Sequence, residues 1–118
     1  PVVFAKKSPA ANQSADMLTA VAHSFTHGND NALRVDRRYL PAGSRVLVVD
    51  DFLADGEASR ALISIVEQAG CTLVGVGIAV EKGFQPGGRK LREAGVNLKS
   101  LAIVTSIQDG RIQLADDD

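Results

Sequence analysis

Arg45-Val46-Leu47-Val48-Val49-Asp50-Asp51-Phe52-Leu53-Ala54-Asp55-Gly56-Glu57-Ala58 is the stretch on which the fold of this chain turns. Val46 to Val49 shows no polar alternation, which predicts a strand covered on both faces, the kind that belongs to a parallel sheet. From Glu57 to Ala69 the apolar residues Ala58, Leu62, Ile63, Ile65, Val66 and Ala69 recur at helical spacing, opposite Glu57, Arg60 and Glu67. Gly70 stands where a helix ends. Leu73 to Val80 reads as a second buried strand, and Gly75 and Gly77 within it predict close approach by a neighbouring backbone. Strand, helix and strand make a βαβ unit, whose crossover is right-handed in nearly all proteins. The expected class is therefore α/β, a mainly parallel, Rossmann-like sheet flanked by helices.

Working outward, Arg89 to Ala94, closed by Gly95, is a second short helix, and Leu98 to Thr105 a third apolar strand. Asp109-Gly110 between Ile107 and Ile112 is a hairpin-turn signal. Ala115 to Asp118 reads as a frayed acidic tail. Towards the start, Pro41-Ala42-Gly43 turns the chain into the strand at Arg45. Met17 to Val35 reads as an exposed antiparallel hairpin with one wet face, turned at His27-Gly28-Asn29-Asp30-Asn31. Val2 to Ala5 reads as a short strand running through Lys6-Lys7 into a polar loop from Ser8 to Asp16. No repeat or linker divides the chain, so residues 1–118 read as one domain. Pro1 stands where an initiator methionine would, and strand formers follow at once, so the domain reads as incomplete at its N-terminus.

Composition excludes several classes. With 118 residues, 45% hydrophobic and 23% charged, the chain is ordinary globular material. Thirteen basic against fourteen acidic residues leave a net charge of −1, too little to draw the chain to nucleic acid or an anionic membrane. A bound anion must be held locally. One cysteine, Cys71, allows no internal disulfide and agrees with a reducing compartment. Leu73 to Val80, the longest apolar and glycine run, is too short to cross a bilayer.

In an open α/β sheet, ligands sit beyond the carboxyl ends of the strands. The segment after Val49 is the first place to look. Small residues and Gly56 let successive N–H groups turn toward one point, and a helix N-terminus behind them adds donors and a positive dipole end, a phosphate cradle. Charged hydrogen bonds contribute about 1.5–3 kcal/mol each, so a few backbone donors suffice without Arg or Lys. Asp50 and Asp51 at its lip could accept from vicinal hydroxyls such as a ribose presents. The plainer reading is a solvated acid pair on a strand-to-helix turn, with Asp55 as the helix N-cap. Cys71 reads as packing near its strand's start. His23 and His27 lie four apart on a strand and a turn, without the acids or cysteines of a metal site.

Beyond spacing, Val46 to Ala58 resembles the phosphoribosyl-pyrophosphate motif of the type I phosphoribosyltransferases: apolar residues, two acids, two apolar residues and a small glycine-containing loop. Pro1 to Lys7, Ser24-Phe25-Thr26, Ile65 to Gly70 and Glu81-Lys82-Gly83-Phe84-Gln85 are similar to the bacterial xanthine phosphoribosyltransferases. The resemblance covers nearly the whole chain. It lacks the family's N-terminal hood over the base and its pyrophosphate loop.

The resemblance implies a purine salvage reaction, xanthine and phosphoribosyl pyrophosphate (PRPP) giving XMP and diphosphate, in a cytoplasmic homodimer that uses neither nucleic acid nor membrane. It implies Mg²⁺ carried on the diphosphate of PRPP, with no metal ligated by the protein alone and no organic cofactor. Carried over by position, Ala54, Asp55, Gly56, Glu57 and Ala58 would wrap the 5′-phosphate, and Asp50 and Asp51 would take the ribose hydroxyls as the catalytic acids. Lys82 would donate to a purine oxygen, Phe52 would pack on the base, and Lys6 or Lys7 would reach the diphosphate. The plainer readings are a strand-end lysine in water, a core phenylalanine and a solvated lysine pair. Asp55 departs from the family's neutral residue, and an outward-pointing cap is expected there. Ala54 stands where hypoxanthine and guanine enzymes carry an acid, which suits xanthine, a more acidic purine. For these 118 residues alone the expectation is weak or absent turnover. The alternative is a non-catalytic domain like the purine-operon regulators, which sense PRPP with this fold and are expected to lack a counterpart of Lys82.

Overall fold

The computed structural model describes residues 1–9, 16–23 and 30–115. They fall into two compact units, Pro1–Val46 with Glu57–Val74, and Leu47–Gly56 with Gly75–Asp118.

The first unit holds strands β1 (Lys6–Pro9), β2 (Met17–His23) and β3 (Asp30–Asp36) in the order β1-β3-β2, with both pairings antiparallel. The β2–β3 pair is the expected hairpin; its tip, with Phe25 and His27, lies outside the described residues. Helix α1 (Glu57–Gln68) ends as its sequence predicts, with Gly70 in the left-handed region at φ +73°. Its apolar stripe meets the hairpin: Ala61, Ile65 and Ala69 pack with Leu18, Leu33 and Val35 in a core that Leu40, Leu62 and Cys71 extend. Side chains on the polar flank reach the same strand, Gln68 Nε2 donating to the Thr19 carbonyl at 2.9 Å and Arg60 Nη2 to the Val21 carbonyl at 3.2 Å. Cys71 Sγ donates to the Pro41 carbonyl at 3.3 Å. Val2 to Ala5 is not a strand. The ladder with β3 begins only at Lys6 opposite Arg34, so the strand formers precede it. Their alternation still counts, since Val3 and Ala5 pack on the core while Val2 and Phe4 face out. A short 3-10 turn at Arg37–Tyr39, capped by Asp36, follows β3 without a sequence signal that we read.

The second unit is built on a sheet of order β4-β5-β6-β7: β4 (Arg45–Leu53), β5 (Thr72–Lys82), β6 (Leu98–Gln108) and β7 (Arg111–Leu114). β5 and β6 run parallel, with Val76 opposite Leu98 and Lys82 opposite Val104. β6 returns as β7 through Asp109-Gly110, both at positive φ, the hairpin turn that this dipeptide predicts. Helix α2 (Gly87–Glu93) starts two residues ahead of the sequence expectation and closes before Gly95. Gly75 earns its place: a Cβ there would stand 2.8 Å from the Asn97 carbonyl oxygen. Ala115 donates to the Ile103 carbonyl at 2.8 Å, and Asp116 to Asp118 lie outside the described residues.

Two expectations are corrected here. β4 does not stop at Val49 but runs through both acids to Leu53, which is 1% exposed and anchors the strand's end. The strands are also not covered on both faces, since Leu47 and Val49 of β4 are 59% and 70% exposed and Leu101 of β6 is 86% exposed. An apolar run is buried only where a layer lies against it, and the described residues of this unit supply one seven-residue helix.

Candidate functional site

Asp50 and Asp51 occupy the last turn-out of β4 and are therefore aimed by a strand rather than a loop. Asp50 is half-buried and Asp51 exposed. Each carboxylate takes the following amide: Asp51 N–H donates to Asp50 Oδ1 at 2.9 Å and Phe52 N–H to Asp51 Oδ1 at 2.8 Å. Burial pushes the Asp50 carboxyl up, while the Phe52 amide holds Asp51 below the usual carboxylate range.

Ala54, Asp55 and Gly56 form a half-buried bend after Leu53. Gly56 has φ +88°, a conformation that favours glycine and lets the bend close into α1. The Ala54 carbonyl accepts from Gly87 N–H at 3.0 Å, tying the bend to the start of α2. Glu57 and Ala58 begin α1 and belong to the first unit. The Glu57 carboxylate is engaged there by Arg60 Nε at 3.0 Å and by the His23 amide at 3.2 Å. The Arg60 hydrogen bonds hold it below the usual range. What Glu57 could offer an anion is its main chain, since its side chain serves the hairpin.

Lys82 is the last residue of β5, and its Nζ sits 6.0 Å from the centre of the Phe52 ring. That distance is cation–π range, so the two residues assigned to a base from the sequence meet in space. Phe52 is 56% exposed and is not a core residue. A planar, electron-rich ligand seated here would find an aromatic face and a cation together.

Lys6 and Lys7 are exposed on β1 in the first unit, opposite Arg34 and Leu33. His23 Nδ1 pairs with Asp30 Oδ1 at 2.9 Å on the hairpin. Among the described residues no group of three His, Cys, Asp or Glu could hold a metal ion. Among the described residues no helix is long and apolar enough to cross a membrane.

Sequence reasoning missed the support behind Lys82. Glu81, 3% exposed, receives Arg92 Nη1 on Oε2 and Nη2 on Oε1, each at 2.8 Å, and Ser100 Oγ on Oε1 at 2.6 Å. The Arg92 hydrogen bonds hold its carboxyl below the usual range despite burial. An acid ending an apolar strand was the available signal, but its partners lie 11 and 19 residues away.

No family model matches the chain. Curated proteins do. Over 116 residues and 98% of its length the chain is 47% identical to the xanthine phosphoribosyltransferase of Ruminiclostridium cellulolyticum. It is 45% identical over 98% of its length to that of Stutzerimonas stutzeri, and 49% identical over 96% to that of Bifidobacterium adolescentis. The chain belongs to the xanthine phosphoribosyltransferase family. It spans about 61%, 61% and 60% of those three relatives' own lengths. Solved structures agree on the family's α/β fold. The adenine phosphoribosyltransferase of Trypanosoma brucei, in complex with AMP, pyrophosphate and ribose-5-phosphate, matches 91% of this chain and 48% of its own with TM-score 0.72 at 21% identity. That of Thermoanaerobacter pseudethanolicus matches 85% of this chain and 55% of its own with TM-score 0.67 at 27% identity.

Proposed function

We propose that this chain carries the phosphoribosyl-binding part of a purine salvage transferase that converts xanthine and PRPP to XMP and diphosphate. The observation that carries the reading is the meeting of Lys82 with Phe52 beside the acid-bearing end of β4. In the reaction a purine nitrogen forms a bond to ribose C1′ as the C1′–O bond to diphosphate breaks, and the purine's N–H proton is released. The ribose acquires oxocarbenium character, and carboxylates held beside it stabilise that charge without reorganising. Asp51, kept ionised by its backbone donor, suits this role, with Asp50 taking the second ribose hydroxyl. Main-chain groups of Ala54, Asp55, Gly56, Glu57 and Ala58 hold the 5′-phosphate. Phe52 stacks on the purine and Lys82 donates to its oxygen, while Lys6 or Lys7 would reach the diphosphate.

Mg²⁺ carried on the substrate's diphosphate would supply charge neutralisation to the leaving group. The donor set fits a substrate-borne ion, because two adjacent acids with their oxygens turned to backbone amides are hard oxygen ligands too few to cage a metal alone. The protein would act in the cytoplasm as a homodimer. The deciding assay incubates the full-length protein with xanthine, PRPP and Mg²⁺ and follows diphosphate release. Release that depends on xanthine supports the transferase. Tight PRPP binding with no release would instead favour a sensing role.

A further inference from the structure

The pair Gly87-Gly88 opens α2 directly behind the Ala54–Gly56 bend, and both glycines are buried. A Cβ built on Gly87 would stand 2.6 Å from the Ala54 carbonyl oxygen, 2.7 Å from Gly56 N and 2.9 Å from the Asp55 carbonyl carbon. All three are backbone atoms, and all are well inside the ~3.5–4.0 Å of ordinary carbon contact. The closeness is mutual, since a Cβ on Gly56 would come within 3.1 Å of Gly87 Cα. Gly87 N–H also donates to the Ala54 carbonyl at 3.0 Å. Next along the chain, a Cβ on Gly88 would run into Oε2 of Glu81, the neighbour of Lys82. One short segment therefore abuts the bend on one side and the support of Lys82 on the other.

We propose that Gly87 is a positioning residue of the phosphoribosyl site. By admitting backbone-to-backbone contact it sets the height and tilt of the Ala54–Gly56 bend, and so the aim of the amides offered to the 5′-phosphate. The inference rests on the phosphoribosyl reading given above. Gly87 is not among the glycines with positive φ, so alanine suits its backbone, and the three atoms nearest to a side chain there all belong to the bend. Gly95 is the natural control. It has φ +85° with nothing within 4 Å of a Cβ, so Gly95→Ala strains the same helix's far end without touching the bend.

The test measures ribose 5-phosphate and XMP binding by calorimetry in the wild-type protein, Gly87→Ala and Gly95→Ala, with thermal melts for each. The expected result is a loss of tenfold or more in ribose 5-phosphate affinity for Gly87→Ala and a change under twofold for Gly95→Ala. Binding by Gly87→Ala within twofold of wild type overturns the inference, and so does an equal loss in both variants. A wild-type protein that binds neither probe would instead remove the phosphoribosyl reading itself. The wild-type protein gives a second readout that needs no variant. Ribose 5-phosphate should slow amide exchange at Gly87 N–H and leave that of Gly95 unchanged, and no slowing at Gly87 overturns the proposal equally.

Discussion

Replacing Arg92 with alanine removes both guanidinium bonds, each 2.8 Å, from a carboxylate that is 3% exposed. Stripping one partner from a buried ion pair costs about 3–5 kcal/mol, because the other charge is left uncompensated. Here the arginine side chain is 43% exposed, so water screens part of the pair and can enter once the side chain is gone. Ser100 Oγ also remains on Glu81, so about 2 kcal/mol is the expected loss at pH 7. The pH dependence has a definite sign. Arg92 lowers the folded carboxyl's pKa below 4.5, so its stabilisation is present above the unfolded value and is lost as pH falls through the folded one. In Arg92→Ala burial raises the Glu81 pKa and outweighs the Ser100 hydrogen bond that still lowers it, and protonation then relieves the variant. The gap between the two proteins should therefore narrow steadily from pH 7 towards pH 3. Urea unfolding followed by circular dichroism at several pH values reads this directly. A gap under about 0.5 kcal/mol at pH 7, or one of equal size at pH 3, would refute the reasoning.

Lys82→Ala should weaken xanthine binding roughly 10- to 100-fold, the worth of one charged hydrogen bond, and leave the KM for PRPP near its original value; equal changes in both would deny Lys82 to the base. Asp55→Asn should leave ribose 5-phosphate binding equal or tighter in calorimetry, and a large loss would mean that the carboxylate faces inward as a working group. Ile65→Ala removes a side chain that is 1% exposed in the first unit's core and should cost about 2–5 kcal/mol in urea unfolding, whereas Leu101→Ala at 86% exposure should cost under about 0.5 kcal/mol.

Legibility in the sequence followed the range of the forces involved. Helix α1 was readable because its stripe and its stop at Gly70 are both local, and the structure bounds it within one residue. Asp109-Gly110 was readable for the same reason, since few residues accept positive φ. The end of β4 was not readable, because two acids look like the start of a loop and what keeps them in the strand is the burial of Leu53. The exposure of Leu47 and Val49 was invisible, because an apolar run states what a strand prefers and not which layer meets it. Within the proposed site, Asp50, Asp51, the Ala54–Gly56 bend and Lys82 are candidates that a contiguous motif and a family likeness suggest. The contact of Lys82 with Phe52, the Glu81–Arg92–Ser100 cluster and the seat of Gly87 depend on pairings across 11 to 33 residues, which no local pattern encodes.

Neither compact unit is a continuous piece of chain: the first closes only when Glu57–Val74 joins Pro1–Val46, and the second borrows Leu47–Gly56 from between them. During synthesis the hairpin-and-helix unit has all its parts once Val74 has emerged, while the sheet unit must wait for Leu114 at the end of β7. At about 5–20 residues per second, that 40-residue delay leaves the acid-bearing half of β4 without its full sheet for roughly 2–8 s. The residues proposed to grip sugar and phosphate are thus seated late, and a nascent chain stalled in that interval would present Val48 and Leu53, both buried in the finished fold, to chaperones.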